Sequence, residues 1–270
     1  MTVDHYARAG QRWARGAEIV YAPLAEHLIA TSPHALAGRT VLDAGAGTGA
    51  ASAALARCGA RPVATDLSRD MLKHHPASRR HCAVADICAL PLATGSVDDA
   101  VAAFVLNHLP DAAVGLAELI RVTRPRGAVL ASVFSNASHS AVRDIVDAVA
   151  GGAGWRAPDW YDHFKVSSAR QLGTASAMAD AADAAGLAEV VVDERPVDVG
   201  VTEPEQLVDY RFGQAHFVSW LDQIGPERAA EIRNEAIAAI RPTMEPYRPT
   251  VVFLAALTSS SRRSGPHRGS

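Results

Sequence analysis

The feature that most constrains this chain is the stretch 40–55, TVLDAGAGTGAASAAL. In it a short apolar run ends in Asp43 and a glycine cluster, Gly45, Gly47 and Gly49, before alanine-rich helical periodicity begins. That order predicts a strand, a tight turn and a helix. Glycine is needed there because the chain reverses sharply and because a side chain would hold the backbone away from a ligand. The free amides of the following helix point over the turn and favour a polar, partly anionic small molecule. The turn is a candidate cofactor site.

Gly45, Gly47 and Ala50 also satisfy the looser dinucleotide fingerprint G-x-G-x-x-G/A, so the glycines alone leave two cofactor classes open. A second strand is predicted over 62–66, ending in Asp66 at the spacing from which an acidic side chain reaches a ribose. A third acidic strand end, Asp86, follows the run 82–85, and a loop then leads to the run 97–106. Through VLDAGAGTG, TDLSRDML, ADICALPLATGSVDDAVAAFVLNHLPD and LIRVTRPRGAVLASVF the chain resembles the class I S-adenosylmethionine-dependent methyltransferases, in the ubiquinone- and menaquinone-biosynthesis-like branch (methyltransferase type 11). The resemblance covers residues 40–134, with the four motifs in the family's order. It implies S-adenosyl-L-methionine as cofactor and no metal. It also implies an α/β fold: a Rossmann-like, seven-stranded, doubly wound sheet with an antiparallel last strand, plus a helical cap built from the N-terminal segment and two insertions. The alternatives are an NAD(P)-binding oxidoreductase, suggested by GxGxxA with Asp66, and a protein that binds S-adenosylmethionine without methylating. The oxidoreductase reading lacks a recognisable tyrosine–lysine pairing.

Carried onto this sequence, the resemblance implies that Asp66 takes the ribose hydroxyls, Leu67 and Met71 flank adenine, and Asp86 with Ile87 holds its amino edge. Asp43, Gly45, Ala46, Gly47, Gly49, Phe104, Asn107 and Tyr6 complete the implied cofactor set. His108, which follows Asn107 in NHLPD, is the first candidate for a general base; His216 and His163 come next. Asp98 and Asp99 precede the fourth strand on its entry side and read as turn or cap residues.

Strands near 40–44, 62–66, 81–85, 99–106 and 127–134 alternate with helices near 49–58, 68–75 and 110–124. Such alternation predicts a parallel sheet covered on both faces, with ligands at the carboxyl ends of the strands. The cofactor-binding core is expected over 36–134, 169–200 and 249–259. Residues 1–35 form an N-terminal cap segment, in which Ile19, Val20, Leu24 and Leu28 recur at helical spacing and Pro23 predicts a break near Ala22. Insertions 135–168 and 201–248 are read as an acceptor-binding lid. The first contains an amphipathic piece, 141–150, and an irregular stretch; a helical stretch, 169–185, and a strand, 189–195, follow it. The second opens with a capping box from Thr202 to Glu205. The polar tail, 260–270, is expected to be disordered.

Of the six Phe, four Trp and five Tyr, only Phe104, Phe134 and Phe253 fall in the predicted sheet. Aromatics concentrated in segments that cap strand ends suggest a mostly apolar acceptor pocket. Trp13, Tyr21, Trp160, Tyr161, Phe164, Arg211, Phe217 and Trp220 are the candidate acceptor contacts, part of the aromatic set serving the lid's own core. The expected activity is methylation of a small, largely apolar metabolite, aromatic, indole-like or isoprenoid-type, at carbon, nitrogen or oxygen, in secondary metabolism. A sulfonium methyl is already activated, so the protein must align donor and acceptor, exclude water and, where required, remove a proton.

Composition excludes other classes. A net charge of -3 over 270 residues gives no electrostatic footprint for nucleic acid. No apolar run approaches the roughly 18 residues of a membrane span, and residues 1–10 lack a signal-peptide core, so a cytoplasmic protein is expected. Cys58, Cys82 and Cys88 form no CxxC pair and read as structural thiols, with neither disulfide framework nor zinc site. The partner is a small-molecule methyl acceptor, and monomer and homodimer are both compatible with the sequence.

Overall fold

The run VVFLAAL near the carboxyl end has no polar alternation, which is the pattern of a strand covered on both faces. The computed structural model of the chain describes residues 3–76 and 81–260 and places that run in a seven-stranded sheet. The strands are β1 (Thr40–Ala44), β2 (Arg61–Asp66), β3 (Cys82–Val84), β4 (Asp99–Ala103), β5 (Ala128–Phe134), β6 (Ala188–Pro196) and β7 (Thr250–Leu257). They lie in the order β3-β2-β1-β4-β5-β7-β6. The first five pair parallel, and β7 runs antiparallel between β5 and β6. Successive residues of a strand feed opposite layers, as the period of two requires. Val41, Val101, Leu130 and Phe253 belong to one core cluster, and Leu42, Ala100, Val129 and Leu254 to the other.

The helices are α1 (Gly10–Arg12), α2 (Glu18–Ile29), α3 (Ala50–Arg57), α4 (Arg69–Leu72), α5 (Ala112–Val122), α6 (Ala141–Gly152), α7 (Asp159–Val166), α8 (Ala175–Ala184), α9 (Pro204–Phe212) and α10 (Ala215–Ile240). Leu24 and Leu28 of α2, Leu55 of α3, Val146 of α6, Leu207 of α9 and Phe217 of α10 fill the first cluster. Leu116 and Leu119 of α5 and Met178 of α8 fill the second. α6, α9 and α10 therefore pack on the face already covered by α2 and α3.

Several local expectations need correction. The leading helix does not break at Pro23, which lies inside α2; its irregularity is a π-helical segment, Trp13–Ala17, directly upstream. Gly16 in that segment packs so closely on α9 that a Cβ would stand 2.1 Å from the carbonyl oxygen of Asp209. The segment's shape is thus set by a distant helix. The stretch read as irregular contains α7, and the capping box of α9 is Glu203 with Gln206, one residue later than predicted, with Pro204 in the first turn. The stretch 169–185 opens in a 3-10 turn, Ser168–Arg170, and is α-helical only from Ala175. Cys58 is exposed, and Cys82 and Cys88 are half-buried and unpaired, so burial does not account for them. Of the predicted tail, residues 261–270 lie outside the described residues.

Asp99 is more than a turn residue. Its carboxylate is fully buried and accepts from Arg39 (Nε 2.5 Å, Nη2 2.9 Å), from His34 Nε2 at 2.9 Å and from the backbone N–H of Ala128 at 2.7 Å. Asp98 beside it accepts from the N–H of Thr40 at 2.8 Å. Together they tie β1, β4 and β5 at the ends where β1 and β4 begin, remote from the glycine turn.

Candidate cofactor and acceptor site

Beyond β1 the chain stays attached to β2, because the N–H groups of Gly45 and Ala46 both donate to the carbonyl oxygen of Thr65, at 2.8 and 2.9 Å. Gly47 then adopts a φ of 55°, which favours glycine, and a Cβ there would meet Met71 Cε at 3.3 Å. Its N–H donates to Asp66 Oδ2 at 2.8 Å, and the N–H of Ser68 donates to Oδ1 at 2.7 Å. Two backbone amides therefore fix the carboxylate, and each oxygen retains a lone pair for a further donor. Burial raises the pKa of Asp66, while the amide bonds from Ser68 and Gly47 act the other way.

Asp43 is fully buried at the end of β1. Ser52 Oγ donates to its Oδ2 at 2.6 Å, its Oδ1 has no hydrogen-bond partner among the described residues, and burial pushes its pKa up to about 6. Asn107 Oδ1 is likewise buried and unpartnered. The N–H of Cys88 donates to Asp86 Oδ1 at 2.9 Å.

β4 stops at Ala103, short of the predicted 106, because Phe104 turns left-handed with a φ of 57° and sends the chain into a 3-10 turn, Leu106–His108. A bulky residue in that region is a strained element. Its ring lies 4.7 Å from that of Phe134 and meets Tyr21 edge-on at 5.3 Å.

These strand ends open into a cavity of about 540 Å³. From the implied cofactor set, Asp43, Gly45, Ala46, Gly47, Asp66, Leu67, Met71, Asp86, Ile87, Phe104 and Tyr6 line it. Gly49 caps α3 outside the wall, and Asn107 is buried beside it while its neighbour His108 takes the wall position. The roof is aromatic. His5 stacks on Trp160 at 4.8 Å, Tyr6 meets Trp13 and His108 edge-on, and Trp13 stacks on Tyr21 at 4.8 Å.

Of the candidate acceptor contacts, Trp13, Tyr21, Trp160 and Phe164 line the cavity, as does His163. Tyr161, Arg211, His216, Phe217 and Trp220 do not. Phe217 is fully buried and stacks on Trp155 at 4.4 Å; Trp220 packs against the same core. Arg211 is buried and grips Asp147 of α6 through two bonds of 2.6 Å, and His216 stacks on Tyr161 at 3.8 Å. The second insertion thus supports the roof from behind. His5, Ser168 and Gln171 line the cavity without having been singled out in the sequence. They lie in segments with no motif; the stacking of His5 on Trp160 and the bond from Gln171 Nε2 to the carbonyl oxygen of Pro110 at 2.9 Å hold two of them in place.

His108 stacks face to face on Phe164 at 4.4 Å, and its Nε2 is 3.3 Å from the Tyr6 hydroxyl. Burial, aided by the nearby His5, lowers its pKa to about 4, so the imidazole is neutral near pH 7. Among the described residues no group of His, Cys, Asp and Glu side chains could hold a metal ion.

A doubly wound sheet with an antiparallel β7 between β5 and β6, and a glycine turn fixed to an acidic β2 end, define the class I methyltransferase fold. Residues 42–131 match the family described as a methyltransferase domain. That part of the chain is a class I S-adenosylmethionine-dependent methyltransferase domain of the menaquinone-biosynthesis-like branch. A demethylmenaquinone methyltransferase of Beutenbergia cavernae is 40% identical over 100 residues, which is 36% of this chain and 42% of that protein. The match thus spans less than half of that relative. Among solved structures, a putative methyltransferase from an antibiotic biosynthesis pathway of Anabaena variabilis superposes with a TM-score of 0.61 at 16% identity, covering 88% of this chain and 99% of the other. Phosphoethanolamine N-methyltransferase 2 of Haemonchus contortus, solved with phosphomonomethylethanolamine and S-adenosylhomocysteine, has a TM-score of 0.56 at 16% identity, over 87% of this chain and 52% of that one. These likenesses establish the fold.

Proposed function

We propose that this chain is an S-adenosylmethionine-dependent methyltransferase acting on a small, mostly apolar acceptor, with a planar aromatic ring of quinol, phenol or indole type favoured. The observation that carries the reading is that one cavity joins an amide-fixed carboxylate, Asp66, to an aromatic wall made by Tyr21, Phe104 and Trp160. The residues present fit the cofactor. Asp66 would accept the ribose hydroxyls, Leu67 and Met71 would flank adenine, and Asp86 with Ile87 would hold its amino edge. The orphaned oxygen of Asp43, on the cavity wall, suits a cationic amino group at the other end. When bound, S-adenosylmethionine supplies a methyl group activated by its sulfonium.

The chain's own work is positioning and exclusion. Tyr6, Trp160 and Phe164 keep water from the strand ends, and Tyr21 with Phe104 orients a flat acceptor against them. His108, kept neutral by burial, is the first candidate to take a proton from the acceptor, with His163 the other histidine on the wall. The curated relatives carry names that point to quinone-type acceptors, which agrees with an aromatic wall. Whether carbon, nitrogen or oxygen is methylated follows from the acceptor. Secondary metabolism is the setting favoured by the likeness to the antibiotic-pathway protein, and the cytoplasm is the proposed compartment; among the described residues no helix is long and apolar enough to cross a membrane.

Titration of the purified protein with S-adenosylhomocysteine and, separately, with NADH tests the cofactor. Mass spectrometry of mixtures with quinols, phenols and indoles then looks for a gain of one methyl group. Binding of NADH without binding of S-adenosylhomocysteine would overturn the reading.

A further inference from the structure

Two breaks in helical geometry border one cavity outside the site described above. The first is the π-helical segment Trp13–Ala17, a wide turn of a kind that recurs at functional sites. The second lies in α10, which leaves helical geometry at Gly225, with a φ of 78° and a ψ of 167°, directly before Pro226. The cavity between them holds about 510 Å³. Arg12, Arg15 and Gly16 line it on one side; Asp222, before the kink, and Arg233, after it, line it on the other. The bend in α10 is what lets both halves of that helix reach the same space.

The walls carry a surplus of positive charge. Four arginines, Arg8, Arg12, Arg15 and Arg233, line the cavity with two aspartates, Asp209 and Asp222. Asp222 accepts from Arg8 Nη2 at 2.6 Å and from Arg12 Nη2 at 3.1 Å, so one acid serves two guanidinium groups. Asp209 is taken by Arg233, which donates from Nε at 2.6 Å and from Nη2 at 2.7 Å. Among the described residues Arg15 meets no acid. Two positive charges are therefore unmatched in this one cavity, in a chain whose net charge is -3. Like charges held together repel, and a dianion seated among them converts that repulsion into attraction. The planar fork of arginine matches the oxygens of a phosphate. The remaining wall is largely apolar, with Phe212, Leu221, Ala229 and Ala230, and suits an organic group attached to that phosphate.

We propose that this second cavity binds a phosphate monoester, with the dianionic phosphate held by Arg12 and Arg15 and the organic group lying against Phe212 and Leu221. Its ligand is not the methyl acceptor, because no residue lines both cavities: Trp13 faces the first, while Arg12 and Arg15 line the second. The site stands independently of the methyltransferase reading.

The test titrates phenyl phosphate, phenol and inorganic phosphate calorimetrically into the full chain, as wild type, Arg15→Gln and Asp222→Asn, with S-adenosylhomocysteine titrated in parallel. Wild type should bind one phenyl phosphate per chain, about tenfold or more tighter than either fragment. Arg15→Gln breaks no contact within the described residues, so Tm and S-adenosylhomocysteine affinity should stay unchanged. Its phenyl phosphate affinity should fall about fivefold, the size of one charge-assisted contact partly screened by solvent. Asp222→Asn removes a competing acid and should tighten phenyl phosphate binding. No binding of phenyl phosphate, equal binding of phenol or of inorganic phosphate, an unchanged affinity in Arg15→Gln, or weaker binding in Asp222→Asn would overturn the site. Binding of phenyl phosphate that follows Arg15, with no binding of S-adenosylhomocysteine, would leave the site standing and remove the methyltransferase reading.

Discussion

Asp66 Oδ2 accepts the backbone N–H of Gly47 at 2.8 Å, so the end of β2 and the turn after β1 form one mechanical unit. The same carboxylate both shapes the turn and faces the cavity. Asp66→Ala should therefore weaken S-adenosylhomocysteine binding by about 1 to 3 kcal/mol, the range for losing hydrogen bonds to a charged group. Calorimetry checks this, and an unchanged affinity would remove Asp66 from the ribose role.

Gly47→Val should abolish cofactor binding in a protein that still shows a native circular dichroism spectrum. The substitution places a β-branched side chain at a φ of 55° and a Cβ 3.3 Å from Met71. Retained affinity would place the ligand elsewhere.

Trp160→Ala and Phe217→Ala should fail differently. Trp160 lines the cavity, so turnover or acceptor affinity should drop while cofactor affinity and Tm change little. Phe217 is fully buried behind the roof, so its loss should cost about 3 to 5 kcal/mol of stability. Melting curves run beside each kinetic assay separate the two, and identical profiles would reject the distinction.

Asp99→Ala should destabilise the fold by about 1 to 3 kcal/mol, because the buried N–H of Ala128 loses its acceptor and Arg39 and His34 lose theirs. Denaturant unfolding measures this. Cofactor affinity of the folded fraction should be preserved, since the cluster lies at the opposite strand ends from the glycine turn.

The pH dependence of stability carries a signature of His108. Its folded-state pKa, about 4, lies below the ordinary value of 6.5, so between these values the unfolded chain binds more protons. The stability this contributes is fully present above pH 6.5 and is lost as the pH falls through 4. The wild-type protein should lose Tm relative to His108→Gln over that window, and a constant difference would show that the imidazole is not held neutral.

The sheet and the turn were legible in the sequence because their causes are local. Unbroken apolar runs mark strands covered on both faces, glycines mark the left-handed turn, and acids at strand ends mark where a ligand can be met. The antiparallel placement of β7 was expected from family resemblance, and the pairing of Val129 with Ala256 realises it. What faces the cavity was decided only in three dimensions. Trp160 and Tyr161 are neighbours in sequence with the same aromatic character, yet one lines the cavity and the other stacks on His216, because α7 is packed on both sides. Arg211 looked like an acceptor contact, yet Asp147, 64 residues away, takes its guanidinium instead. The π-helical turn at Trp13–Ala17 depends on α9 pressing against Gly16, and the burial of Asp99 depends on Arg39 and His34. Hydrophobic period and turn chemistry act over a few residues and can be read from them. Charge pairing and the choice of helix face depend on which distant surfaces meet, and that is fixed by packing.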